Sequence, residues 1–355
     1  MRRVADYAVR AAIWLLSALF VTGCAVREWP EMDYSNADFT LHLDFAEEMP
    51  LYREIVYTRT DSATRVVNES RTAPPAHDIR YTIRAFRNNG SREAERTFVF
   101  TRPSGEGLDC TTVLQLDEGT YDIYVWADYV APDDMSDRYY DTSDFGAVTL
   151  ADRDNHQGSN DYRDAFRGSV TATVVHPYRY LATDKVAENE ATAVMARPMG
   201  RYEFVSTDVD TFLSRVIAMR GGDNATDETR SVDLSDFYVV FSYNAYMPSV
   251  FNMFTDKPSD SWTGMSYTSR MSLGDDGMSL GFDYIFVNGT ETLMNINVDI
   301  YTKEGELISS TKSVEVPIVR SKLTLVKGEF LTAYGSGGVT VNPDFDGPDF
   351  NIEIK

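Results

Sequence analysis

Phe39, Leu41, Leu43 and Phe45 alternate with Thr40, His42 and Asp44. A period of two puts the first set on one face of an extended chain and the second on the other, which marks a half-buried strand. The pattern recurs. Ile79, Tyr81, Ile83 and Ala85 alternate with Arg80, Thr82 and Arg84. Tyr121, Ile123, Val125 and Ala127 share a face further on, and Trp126 has the opposite parity, which points it outward. Asn89-Gly90 separates the Ile79 run from Thr97–Phe100, and Asn-Gly is a strong hairpin signal because both residues tolerate positive φ. Thr112–Leu116 and Val170–Val175 read as further strands, whereas 59–76, polar and carrying Pro74-Pro75, reads as loop. Many short alternating runs divided by turn residues specify a mainly β fold of β-sandwiches. With 355 residues, 43% hydrophobic and 25% charged, the chain has the length and composition of about two globular domains.

The predicted division is 38–182 for the first sandwich and 192–355 for the second, across a charged stretch, 183–191, that lacks apolar periodicity. Val194–Val205 reads as a strand broken at Pro198. One short helix is predicted over Asp208–Met219, capped by Thr207, with Val209, Phe212, Leu213, Val216 and Ile217 on one stripe. A strand meander follows, with Phe237–Tyr243, Phe282–Val287, Thr292–Tyr301, Leu307–Val316 and Leu323–Leu331, and the chain ends on Phe350–Ile354.

The N-terminus carries an address. Arg2, Arg3 and Arg10 precede the apolar stretch Ala11–Val21, which is shorter than the roughly 20 residues a spanning helix needs. Residues 1–23 therefore read as a signal peptide. Val21-Thr22-Gly23-Cys24 resembles a bacterial lipobox, which implies cleavage between Gly23 and Cys24 and acylation of the Cys24 thiol. Several acyl chains, at about 0.8 kcal/mol per buried CH₂, make a stable anchor. Residues 24–37 are then a lipidated tether that holds the body at the outer membrane.

Most chemistries leave no trace. Asp and Glu number 55 against 33 Lys and Arg, a net charge of −22, and phosphate-backbone binding needs the opposite balance, so nucleic acid is not an expected partner. The phosphate-loop, dinucleotide, nucleophile-elbow and zincin patterns are all missing from the sequence, and no cofactor is expected. His42, His77, His156 and His176 show no ligand spacing and read as surface or strand residues. Asp152, Asp154 and Asp161 form a weak calcium candidate near Gly158. The glycine is one position late for an EF-hand loop and no Glu closes it, so a solvated loop is the main reading. Trp126, Tyr139 and Tyr140 lie in or beside an acidic, aromatic insertion, residues 131–167. They suggest either a sugar-stacking platform or ordinary sandwich core.

Taken together, the lipobox, Tyr121–Ala127, Tyr162–Phe166, Ala196–Phe204 and Val314–Thr324 resemble segments of the fimbrillin-like lipoproteins of the Bacteroidales. The resemblance implies two transthyretin-like β-sandwich domains and a non-catalytic role as fimbrial subunit or anchor. Its partners would be other fimbrial subunits, and its setting cell adhesion at the outer membrane. In polymerising members of that family an Arg-specific protease removes an N-terminal strand, and a neighbour's strand fills the groove by β-augmentation. Here Phe39, Leu41, Leu43 and Phe45 would belong to the exchangeable strand. Phe350–Ile354 is a second candidate, and Arg53, Arg59 and Arg65 are the candidate cut sites. Anchor, shaft and tip roles all stay open. The alternative is a surface glycan-binding lipoprotein that uses Trp126, Tyr139 and Tyr140.

Overall fold

The computed structural model describes residues 36–46, 49, 51–57, 62–65, 77–90, 93–176, 189–221, 232–274, 277–333, 339–341 and 352–354. The strands of the first half are β1 (Ala37–Phe45), β2 (Leu51–Tyr57), β3 (Ser62–Arg65), β4 (Asp78–Arg87), β5 (Arg96–Pro103), β6 (Cys110–Leu116), β7 (Gly119–Val130), β8 (Tyr140–Asp141), β9 (Val148–Leu150) and β10 (Ala165–Val174). Next come β11 (Glu190–Met195), β12 (Met199–Ser206), helix α1 (Val209–Gly221), β13 (Phe237–Tyr243), β14 (Tyr246–Asn252), β15 (Lys257–Thr263), β16 (Ser266–Ser269) and β17 (Ser272–Gly274). The last are β18 (Gly277–Phe286), β19 (Glu291–Thr302), β20 (Leu307–Val319), β21 (Leu323–Gly328), β22 (Val339–Val341) and β23 (Ile352–Ile354).

The fold is mainly β, with two sandwiches. The first packs sheet β11-β1-β6 on sheet β10-β7-β4-β5. Its core is the set that the alternation marks: Leu41 from β1, Ile83 from β4, Leu114 from β6, and Tyr121, Ile123 and Val125 from β7. The second packs sheet β17-β18-β12-β21-β2-β3 on sheet β16-β13-β19-β20, with Phe204, Phe241, Ile285, Val298 and Val316 inside. Helix α1 buries Phe212 and Val216 of the expected stripe, with the Phe212 ring edge-on to Phe237 at 5.3 Å. Its first turn starts from Asp208, whose carbonyl accepts the Phe212 N–H. The Asp208 carboxylate accepts from Thr332, so Asp208 rather than Thr207 fixes this end. Among the described residues no helix is long and apolar enough to cross a membrane.

The strands are not divided where the sequence suggests. Strand β11 pairs in parallel with β1, from Thr40↔Glu190 to Phe45↔Met195, and so belongs to the first sandwich. The switch falls at Arg197-Pro198, immediately before β12 enters the second sandwich. Pro198 cannot donate a ladder hydrogen bond, which suits it to a break between sheets. Arg197 holds the crossing: its Nε donates to Asp164 at 2.8 Å, and its guanidinium lies 4.5 Å over Phe166. In the other direction, β2 pairs in parallel with β21, and β3 extends that sheet from within the stretch read as loop. Strand β9 pairs with β14, and β8 with β9, in an antiparallel sheet, β15-β14-β9-β8, that joins the halves. Charge runs and loop composition do not record such crossings, because a pairing partner is set by contacts far along the chain.

The acidic insertion is ordered by basic residues of β4. Buried Arg80 binds Asp128 through two nitrogens at 2.9 and 2.7 Å, and reaches Asp137 at 2.7 Å and the Met135 carbonyl at 3.0 Å. Arg84 donates to the carbonyls of Thr142 and Ser143 and lies 4.5 Å over Phe145.

Candidate functional site

Strand β1 is central in its sheet. It pairs antiparallel with β6 on one side, from Ala37↔Leu116 to Leu43↔Cys110, and parallel with β11 on the other. Both edges of its backbone are therefore engaged. Phe39, Leu41, Leu43 and Phe45 are all buried, as the alternation requires. The Phe45 ring meets Phe166 edge-on at 5.1 Å and Tyr81 at 6.1 Å, and the Phe45 N–H donates to Asp109 at 2.7 Å. Tyr81 in turn donates to the Leu108 carbonyl at 2.8 Å and stacks on Phe100 at 4.9 Å. On the outer face His42 sits 3.0 Å from the Thr111 hydroxyl. Burying four large apolar side chains, at about 1.5–3 kcal/mol each, contributes roughly 6–12 kcal/mol. That is comparable to the whole stability of a typical domain, about 5–15 kcal/mol. Empty, the β1 slot is a groove with pockets for alternate side chains and an unpaired backbone edge on each side.

Of the arginines expected to allow removal of this strand, the two in described residues lie within paired strands. Residues 46–50 join β1 to β2 and contain no arginine. Arg53 lies inside β2, in register with Thr324 of β21, and Arg65 lies inside β3. Arg59 is outside the described residues. A protease needs an unpaired, extended substrate, and a cut after Arg59 or Arg65 would leave β2 joined to β1. The sequence places arginines near the strand, but the topology makes β2 part of the other sandwich.

The other expected site residues take different places. Gly23 and Cys24 lie outside the described residues, as does Phe350. Strand β23 pairs with β22 from Ile352↔Val341 to Ile354↔Val339. Trp126, Tyr139 and Tyr140 form no solvent-facing platform: Trp126 is fully buried and Tyr140 is 1% exposed. Trp126 meets Tyr140 at 5.3 Å and Phe286 of the second sandwich at 6.5 Å. The outer face of β7 is covered, so opposite parity put Trp126 into the junction of the sandwiches rather than into water. Trp126→Ala is expected to lower stability by about 3–5 kcal/mol. Urea unfolding checks this, and a loss below about 1 kcal/mol would contradict the packing.

In the calcium candidate, Asp152 and Asp154 are exposed, and Asp161 lies 3.8 Å from Arg201. Among the described residues no group of three or more His, Cys, Asp or Glu is placed to hold a metal ion. The loop has a structural task instead. A Cβ on Gly158 would fall 2.3 Å from the Tyr267 ring, so only glycine permits this approach. Ser159 N–H donates to the Phe282 carbonyl at 2.7 Å, and its hydroxyl accepts from the Phe282 N–H at 3.1 Å.

His156, read as a surface or strand residue, is buried in the loop beside this contact. Its Nε2 lies 2.5 Å from an Asp283 oxygen. Asp283 is also bound by Arg163, and it accepts from the Tyr243 hydroxyl at 2.5 Å and the Tyr284 N–H at 2.8 Å. Tyr202 joins Tyr243 at 2.8 Å and Tyr267 at 3.1 Å. Burial works to raise the Asp283 pKa, but Arg163, His156 and Tyr243 outweigh it and hold the carboxyl at about 2. Burial and Arg163 keep the His156 imidazole below its ordinary value, against the pull of Asp283. His156 and Arg163 lie between β9 and β10 and Asp283 lies on β18, so the network fastens the two halves together. Nothing local in the sequence joins residues this far apart.

Residues 32–355 match a family described as a family of unknown function (DUF6562). The chain belongs to this family. No curated protein matches it. Among solved structures, a candidate adhesin from Bacteroides ovatus is similar at 10% identity and a TM-score of 0.42, over 90% of this chain and 93% of that one. The fimbrial anchor protein Mfa2 from Porphyromonas gingivalis is similar at 10% identity and a TM-score of 0.36, covering 78% and 82%. The tip fimbrial protein Mfa3 from the same organism, with a C-terminal truncation, is similar at 11% identity and a TM-score of 0.32, covering 79% and 81%. Adhesin and fimbrial proteins from Bacteroides and Porphyromonas therefore stand among the structures this fold is similar to. The likenesses are distant, and the chain's own residues carry its functional reading.

Proposed function

We propose that this DUF6562 chain is a surface lipoprotein of the outer membrane, acylated at Cys24. It works without catalysis as the anchor-type structural subunit of a fimbrium-like adhesive assembly. The observation that carries the reading is the position of β1. A strand that fills the first sandwich lies directly after the tether, and Ala25 to Asn36 spans at most roughly 40 Å when fully extended. The missing arginine between β1 and β2 supports retention of this strand together with the lipid. A subunit that keeps its own strand stays fixed to the membrane and meets the next subunit through strand complementation, with backbone hydrogen bonds giving the affinity.

The test is a blot of outer-membrane fractions, heated and unheated. The chain is expected in a heat-sensitive complex larger than the monomer, and Cys24→Ala is expected to shift it out of the membrane fraction. A monomer-sized band in both lanes sinks the assembly, and unchanged fractionation of Cys24→Ala sinks the anchor.

A further inference from the structure

A cleft of about 700 Å³ opens between the β14–β15 ribbon and the turn that joins β18 to β19. Its volume falls within the span of small-molecule sites, about 300–1,000 Å³. At one lip stands Tyr246, 55% exposed, its backbone held in register with Thr263; at the other stands Leu293, 51% exposed. Asp260, Asn288, Glu291 and Thr292 supply the polar wall. The turn is preset, because the Asn288 N–H donates to the Thr292 hydroxyl at 3.0 Å. Asp260 is preset as well, accepting from the Ser261 N–H at 2.7 Å. Neither Lys, Arg nor His lines the cleft among the described residues.

We propose that this cleft binds a neutral carbohydrate. The C–H bonds on one face of a pyranose carry partial positive charge and pack on the negative face of an aromatic ring, here Tyr246. The sugar's hydroxyls are both donors and acceptors, and they match two carboxylates, a carboxamide and a hydroxyl along one wall, of which Asp260 and Thr292 are held by hydrogen bonds. The same carboxylates, with no Lys, Arg or His among the lining residues, repel sialic acids, uronic acids and sulfated sugars. Covering Tyr246 and Leu293 removes apolar surface from water, which adds to affinity in proportion to the area covered. The site is formed by strands of the second sandwich and the joining sheet, none of which pairs with β1, and does not depend on strand complementation.

The experiment applies the purified full chain to a printed array of neutral, sialylated and sulfated glycans, then measures Kd for the best neutral glycan by calorimetry. Binding is expected to neutral glycans alone. Tyr246→Ala is expected to weaken it by about tenfold or more, equivalent to about 1.4 kcal/mol. Because Tyr246 is exposed, its thermal midpoint is expected to match that of the parent; Leu293→Ala, at the opposite lip, is the second variant should Tyr246→Ala lose its fold. Failure to bind any neutral glycan, a preference for anionic ones, or undiminished affinity in a folded lip variant overturns the proposal. The membrane-fraction blot is unaffected by any of these results.

Discussion

Deletion of Ala37–Phe45 is expected to unfold the first sandwich, and a synthetic peptide of the same nine residues is expected to restore it in trans. The strand contributes roughly 6–12 kcal/mol through its four buried side chains. A domain with about 5–15 kcal/mol in hand has little left without it. Strands β6 and β11 would each also lose the partner that satisfies one edge of their backbones. The near-ultraviolet dichroism of the first-sandwich tyrosines, Tyr81 and Tyr121 among them, is the readout. Adding the peptide is expected to bring the signal back and raise the thermal midpoint with peptide concentration, as mass action requires. A peptide with Leu41→Asp is expected to fail, because it would carry an unpaired charge into the core. If the deletion leaves the spectrum and the midpoint unchanged, β1 is dispensable and the groove has no function. If the deletion unfolds the domain and no peptide rescues it, β1 is a structural strand without the capacity for exchange.

The strength of the sequence reading followed the number of covered faces. β1, β4 and the inner face of β7 were legible because one side meets the core and the other water, so polarity alternates with geometry. β12 was legible as the strand after Pro198, with Tyr202 and Phe204 alternating with Arg201 and Glu203, but it is buried at every position between β18 and β21, so the alternation could not tell which of its faces meets a core. Trp126 was misplaced for a related reason: its face of β7 is polar in pattern but meets the second sandwich instead of solvent. Strand β15, Lys257–Thr263, reads Lys-Pro-Ser-Asp-Ser-Trp-Thr and forms a sheet edge, where exposure removes the apolar signal altogether. Parallel pairs such as β1 with β11 and β2 with β21 have no connecting turn to announce them. The same is true of the cleft beside Tyr246, whose walls come from β14, β15 and the β18–β19 turn.

The interior network leads to the other large expected effect. Asp283→Asn should destabilise the protein by about 3–5 kcal/mol, the usual consequence of leaving one member of a buried ion pair without its partner. Arg163 would keep its charge with 4% of its side chain exposed and lose the carboxylate that faces it. Tyr243 and His156 would lose a charged acceptor as well, and a carboxamide cannot replace both oxygens. The pH dependence separates this from simple loss of packing. Asp283 is held at about 2 when folded, below its value in an unfolded chain, so its contribution is present above about pH 4 and is lost as the pH falls toward 2. His156 is depressed when folded, so the unfolded chain takes up the proton first and stability also falls as the pH drops below about 6.5. The groups around the carboxylate are Arg163, which stays charged, and Tyr202, Tyr243 and Tyr267, which burial holds neutral. Elsewhere burial pushes Asp128 up to about 6, and hydrogen bonds lower Glu95 and Asp141, so the difference between parent and variant at each pH, in which these groups cancel, isolates the carboxylate. Unfolding measured in urea from pH 7 to pH 2 should show the parent losing stability in both windows. In Asp283→Asn the lower of the two windows should shrink and the loss at pH 7 should be largest. A loss below about 1 kcal/mol at pH 7 would show that the carboxylate is not what secures the 156–163 segment to the second sandwich, and the other contacts between the halves, such as β2 with β21, β9 with β14 and Trp126 with Phe286, would then hold them together.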